Sequence, residues 1–325
     1  MKNYTVKRYE LKDYSIWNDF IGQAKNATFL FHRDFMEYHK DRFEDYSLMI
    51  FEGEKLVAVL PANRVGEFVY SHQGLTYGGL VYNEKEKLAS VIAIFKAVLF
   101  FFNENNVQKL QLKLIPSIYH QKPAEELSYA LFLAKAHLIR RDTLAVIDTS
   151  QPFFLSKIRK RGVKNGVNNR LIIKEVDDFT EFWNEILIPN LAQKHQAKPV
   201  HSLDEITKLK DLFPEKIRQF NVYENDTIVA GTTIFESSNV AHSQYISGKE
   251  DKNELGGIDF LFYHLIADVF KNKRFFDFGI SNENQGQNLN GGLSYWKESF
   301  GASTIVHDFY EVETSSYYFL DTVLI

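Results

Sequence analysis

Arg274-Phe275-Phe276-Asp277-Phe278-Gly279-Ile280-Ser281, followed by Gly291-Gly292-Leu293-Ser294-Tyr295-Trp296-Lys297-Glu298-Ser299-Phe300-Gly301, decides how the rest of the chain is read. The first segment is aromatic and branched, broken by one carboxylate, as in a buried strand. An Asn/Gln/Gly loop follows it. Beyond the loop, a short element holds Lys297 between Trp296 and Phe300. Such an ammonium either snorkels over an aromatic patch or sits partly desolvated, where it stabilises an oxyanion.

Working outward, the order of elements around this stretch occurs twice. Glu52-Gly53-Glu54-Lys55-Leu56-Val57-Ala58-Val59-Leu60 parallels Glu224-Asn225-Asp226-Thr227-Ile228-Val229-Ala230-Gly231-Thr232. In both, a strand meets a charged tight turn and a second strand, which predicts a β-hairpin. A further strand follows (68–72 and 240–247), then a glycine pair, Gly78-Gly79 or Gly256-Gly257. Next come an apolar or amphipathic helix, over 85–103 and about 259–272, and a strand, over 109–115 and 275–280. Each half is expected to end on a short helix and its own closing strand, at 144–148 and 305–312. A duplicated unit of this length is no solenoid. It predicts mixed α/β (α+β) domains, each with a largely antiparallel sheet and a strand–helix–strand crossover. The expected division is 1–150 and 151–325, with the join between about Thr149 and Asp177.

Composition bounds the functions. The chain has 325 residues, a net charge of -4 and 25% charged residues, so no global field draws it to DNA or an anionic membrane. Cysteine is absent, which removes disulfides, thiolate metal sites and cysteine nucleophiles. The opening residues lack an apolar core, so no signal peptide is expected. The run Leu88 to Phe102 carries Lys96 and is too short to span a bilayer, so no transmembrane segment is expected and a cytoplasmic location is. His32, His39, His195, His201 and His242 lack the spacing of a zinc helix, so no metal is expected and they read as core-edge or surface residues. Nucleophile-elbow, dinucleotide and P-loop motifs are absent.

The remaining candidates are polar clusters. Lys157, Arg159, Arg161 and Lys164 lie in a basic run near the join, suited either to solvent or to phosphate groups and an RNA acceptor end. Gly256, Gly257 and Ile258 open a helix, as a simple turn or as backbone N–H groups facing an anion. Asp259 is an alternative N-cap. Ser281, Glu283 and Asn284 line the loop after the strand, with Glu283 a candidate base. Tyr245 and Tyr295 are candidate substrate contacts.

With these pieces placed, the chain resembles the GNAT superfamily in its tandem-domain FemAB-like branch. The carrying residues are Phe275-Phe276-Asp277-Phe278-Gly279-Ile280 and Gly292-Leu293-Ser294-Tyr295-Trp296-Lys297-Glu298-Ser299-Phe300-Gly301, with Trp296 in place of the usual Phe. Phe31-His32-Arg33-Asp34-Phe35-Met36-Glu37-Tyr38 and Leu56-Val57-Ala58-Val59-Leu60-Pro61 add to the likeness. The resemblance implies two tandem GNAT-like domains, the first framing an acceptor and the second catalysing acyl transfer. No permanent cofactor is implied; acyl-CoA or aminoacyl-tRNA is the co-substrate. The implied acceptor is an amine of a cell-envelope precursor, an amino sugar or another small molecule, and tRNA is a candidate partner. Lys297 matches the branch's lysine that supports the tetrahedral intermediate, and the basic run matches its phosphate-contacting segment. Two departures stand out: Arg170-Leu171 replaces the usual Gly-Val, and the pyrophosphate loop is reduced to Asn253-Glu254-Leu255-Gly256-Gly257-Ile258. Water, Glu283 or the leaving group is left to take the acceptor's proton. The competing reading is a catalytically silent tandem scaffold that binds a nucleotide-sugar or a protein partner.

Overall fold

The structure, a computed structural model, describes residues 3–249 and 252–323. The elements that position the site are, in chain order, β1 (Tyr4–Arg8), β2 (Leu48–Glu52), β3 (Lys55–Leu60), β4 (Phe68–Tyr70), α1 (Leu88–Glu104), β5 (Lys109–Lys113) and β6 (His137–Asp148). They continue with α2 (Lys157–Asn168), β7 (Ile172–Val176), β8 (Ile217–Glu224), β9 (Thr227–Glu236), β10 (Val240–Gly248) and α3 (Gly257–His264). The last are β11 (Phe275–Ile280), α4 (Gly291–Glu298) and β12 (Ser303–Glu313). The chain forms two compact units, Met1–Asp142 with Val306–Ile325, and Thr143–Ile305.

In the first unit, β1, β2 and β3 pair antiparallel, and the β2–β3 turn uses Gly53 at φ 61°. The helix α1 then carries the chain from β4 to the parallel strand β5. Its residues Val91, Ile94, Phe95, Val98 and Phe102 recur at helical spacing and bury against Ile50, Val57, Leu110 and Leu112. In the second unit, β7 to β10 form an antiparallel meander. The helix α3 then crosses to β11, which runs parallel to β10. Leu261, Phe262 and Ile266 pack there on Phe220, Val222, Ala241, Phe276 and Phe278. Both units are therefore mixed, largely antiparallel sheets flanked by helices, with one strand–helix–strand crossover each.

The closing strands correct the expectation that each half completes its own sheet. Residues 144–148 of β6 pair antiparallel with β11 in the second unit. Phe309–Glu313 of β12 pair with Lys109–Lys113 in the first unit. Burial explains the exchange: Ile147 belongs to the second core, Val312 to the first. Polar pairing agrees, since Glu311 accepts from Lys109 Nζ (2.6 Å) and Gln111 Nε2 (2.8 Å). The units consequently divide at Asp142/Thr143, and the chain returns to the first at Val306, instead of splitting once at 150/151.

Candidate active site

The parallel ladder between β10 and β11 is short. Val240–His242 pair with Phe275–Asp277, and the register ends there although β10 runs on to Gly248 and β11 to Ile280. On the other edge of β11, the register with β6 shifts between Asp277 and Ile280. Gly279 lies in this irregularity at φ 72°, a conformation that favours glycine. A Cβ there would also stand 3.3 Å from His242 Cε1.

Lys297 reaches this strand end from α4. The helix is started by Asn290, whose side chain accepts from Leu293 N (3.0 Å). It is anchored by Trp296, whose ring lies 5.2–5.6 Å from those of Phe262, Phe278 and Phe300. Lys297 is thereby only 3% exposed. Its Nζ donates to the carbonyls of Gly279 (2.9 Å) and Ile280 (2.5 Å). Among the described residues no carboxylate lies within ion-pair distance of it. Burial draws its pKa down to about 8, opposed by the nearby Asp277 charge. An ammonium has three N–H donors, so two are committed to the strand and one is left.

Asp277 is fully buried. Its Oδ1 accepts from Gly279 N (2.7 Å), and its Oδ2 meets His242 Nδ1 at 2.9 Å. Ser281, directly after the lysine-bound carbonyls, is 4% exposed, and among the described residues its hydroxyl has no partner. Lys297, Ser281, Asp277 and His242 therefore gather where the ladder stops. The sequence points to the first two as site residues. It places Asp277 only within a motif and His242 among structural histidines.

The amide-rich loop is a tight hairpin, with Asn282 opposite Leu289 and Glu283 opposite Asn288. The exposed Glu283 accepts from Asn290 Nδ2 (2.9 Å), and Asn284 Nδ2 donates to Asn288 Oδ1 (2.6 Å). These side chains hold the hairpin shape. Tyr295 is 57% exposed on α4. Tyr245 is buried: its hydroxyl accepts from His201 N (3.1 Å), meets His201 Nδ1 at 2.7 Å, and has its pKa pushed up to about 12 by burial.

The basic run forms α2, capped by Ser156. Gly162 and Gly166 line its buried face against α3, where a Cβ on Gly162 would stand 1.9 Å from Asp259 Oδ2. Arg159 shares that side and is ion-paired with Asp259, so it is not free for a ligand. Burial raises the Asp259 pKa, and Arg159 opposes the rise. Lys157, Lys160, Arg161 and Lys164 are exposed. At spacings of i, i+3, i+4 and i+7 they form one stripe opposite the glycines. Lys160 joins the site only through this helical face, which the run of cations does not by itself reveal.

Gly256, Gly257 and Ile258 are all buried. Gly256 has φ 76°, and a Cβ on it would lie 2.0 Å from the Gly162 carbonyl. This glycine lets α2 and α3 approach, and the same contact covers the start of α3. Glu250 and Asp251 of the preceding loop lie outside the described residues.

Neither a protein-family model nor a curated protein sequence matches the chain. Solved structures do match it. FemX aligns with a TM-score of 0.67 and 8% identity, over 97% of this chain and 98% of that one. L-PGS from Bacillus licheniformis aligns at 0.55 and 12%, over 82% and 83%. A conserved protein of unknown function from Bacteroides thetaiotaomicron aligns at 0.54 and 11%, over 96% and 99%. At these identities the likeness concerns the fold alone: the chain shares the fold of FemX, in keeping with the resemblance read from the sequence.

Proposed function

We propose that this protein is an acyltransferase of the aminoacyl-transferring kind, working at the end of β11. The observation that carries the reading is Lys297, a buried ammonium held by two main-chain carbonyls with no carboxylate bound to it. In direct transfer, an acceptor nitrogen attacks the ester or thioester carbonyl carbon. The carbonyl π pair moves to oxygen, and the tetrahedral intermediate collapses by expelling the leaving group. The remaining Lys297 N–H would donate to that oxyanion. Two fixed hydrogen bonds orient it beforehand, so little reorganisation is needed as charge develops. At neutral pH, below a pKa of about 8, the group remains cationic.

Two features of α2 and α3 bear on the donor. A CoA pyrophosphate would have to use a glycine turn already packed on the Gly162 carbonyl. The exposed stripe of Lys157, Lys160, Arg161 and Lys164 suits a polyphosphate backbone better, which favours aminoacyl-tRNA over acyl-CoA. The acceptor in this reading is an amine of a cell-envelope precursor or another small molecule.

Binding and transfer by the intact protein, measured with acetyl-CoA and with alanyl-tRNA, test the reading. Binding of the tRNA that weakens steeply with salt, together with alanyl transfer, is the expected result. Acetyl-CoA binding and turnover without a response to tRNA would overturn the choice of donor. Lys160→Glu combined with Lys164→Glu should weaken tRNA binding and reduce the salt slope by roughly 0.7–0.9 for each phosphate that α2 no longer neutralises. An unchanged slope would remove α2 from the interface.

A further inference from the structure

We infer that His242 is the general base of the reaction and that Asp277 is its positioning residue, an inference that rests on the transferase reading above. The dyad occupies the last rung of the β10–β11 ladder, where His242 stands opposite Asp277. Asp277 is fully buried and fixed from both sides: one oxygen accepts the Gly279 amide at 2.7 Å, and the other meets His242 Nδ1 at 2.9 Å. Binding through Nδ1 turns the imidazole so that Nε2 is the free nitrogen. Among the described residues Nε2 makes no hydrogen bond, and the imidazole side chain is 13% exposed. A carboxylate that holds Nδ1–H fixes the tautomer in which Nε2 carries the lone pair.

The surroundings match the task. The ring lies against Gly279, where any side chain would crowd its Cε1. The carbonyl of the same glycine holds Lys297 Nζ. Base and oxyanion donor are thus tied to one residue of one strand. Next to them, the buried Ser281 hydroxyl has no partner among the described residues, as expected of a group whose partner arrives with the substrate. Glu283, the base candidate from sequence, is instead exposed and engaged by Asn290.

The step balances without any further reagent. As the acceptor nitrogen forms its bond to the acyl carbon, its N–H proton passes to His242 Nε2. When the bond to the leaving oxygen or sulfur breaks, that atom takes the electron pair, and the imidazolium returns the proton to it. Asp277 stays ionised and stabilises the transient imidazolium.

Two measurements on the full chain test the assignment. Long-range 1H–15N NMR of the imidazoles should show the His242 proton held on Nδ1, and Asp277→Asn should disturb that tautomer. A proton on Nε2, or a permanent imidazolium, would overturn the assignment, because neither can accept a proton. With the donor that the wild-type protein turns over, His242→Ala should lose about 10²–10⁴-fold in transfer. Added imidazole should restore part of the loss. Undiminished transfer in a folded His242→Ala protein would also overturn the assignment. A wild-type protein that turns over neither alanyl-tRNA nor acetyl-CoA defeats the transferase reading, and the NMR result then decides the state of the dyad by itself.

Discussion

Gly256→Ala is expected to destabilise the second unit by more than about 3 kcal/mol, combining backbone strain with a hard clash. Gly256 sits at φ 76°, where an L side chain is strained by roughly 1–2 kcal/mol. Most of the cost is steric, because the new methyl would lie 2.0 Å from the Gly162 carbonyl oxygen, a backbone atom that moves only if α2 moves. The control is Gly53→Ala, at a similar φ of 61° with nothing within 4 Å of the added carbon. It should cost only the strain. Urea unfolding of both variants separates strain from clash. Equal losses would mean that α2 and α3 are not tightly joined through this glycine, and would reopen the glycine turn to a pyrophosphate.

The second large effect concerns pH and Lys297. Burial lowers its folded-state pKa to about 8 from an ordinary lysine value of 10.5. Between these values the unfolded chain binds more protons than the folded one, so stability rises with pH across the window. The cost of holding the buried ammonium is fully present below pH 8 and is relieved as pH approaches 10.5. The expected gain is up to about 3 kcal/mol, from about 1.4 kcal/mol for each pKa unit. Lys297→Met should lack this gain, so the wild-type protein should gain on the variant between pH 8 and 10 in matched denaturant titrations. Parallel pH profiles for the two proteins would show that the ammonium is not desolvated. Transfer should respond in the opposite sense, falling above pH 8 as the cation is lost.

The duplicated order of hairpin, strand, helix and strand was legible because it is local. Charged tight turns at Gly53 and Asn225, and apolar periodicity in α1 and α3, report on residues close in sequence. Lys297 was legible for a similar reason, since Trp296 and Phe300 flank it and anchor its helix. The exchange of closing strands was not. Residues 144–148 and Phe309–Glu313 both read as short strands, and nothing within either says which sheet it will join. The His242–Asp277 dyad was invisible on the same grounds. Its members lie 35 residues apart on neighbouring strands, so the tests of spacing that reveal a helical metal site cannot find it. Lys113 repeats the lesson in the first unit. Nothing in the sequence around it marks it, yet its ammonium donates to the carbonyls of Gln73 (3.2 Å) and Leu75. Burial draws its pKa to about 8 as well. In the basic run, α2 divides the cations between a glycine-lined packing face and an exposed stripe, a distinction that needs the helix and its neighbour together.

Single-turnover transfer from alanyl-tRNA or acetyl-CoA by wild-type and Lys297→Met proteins, with folding checked by circular dichroism, tests the central claim most directly. A folded variant slowed on the order of 10²–10³-fold is predicted, the cost of removing one donor from an oxyanion site. A folded Lys297→Met protein that transfers at the wild-type rate would contradict the account.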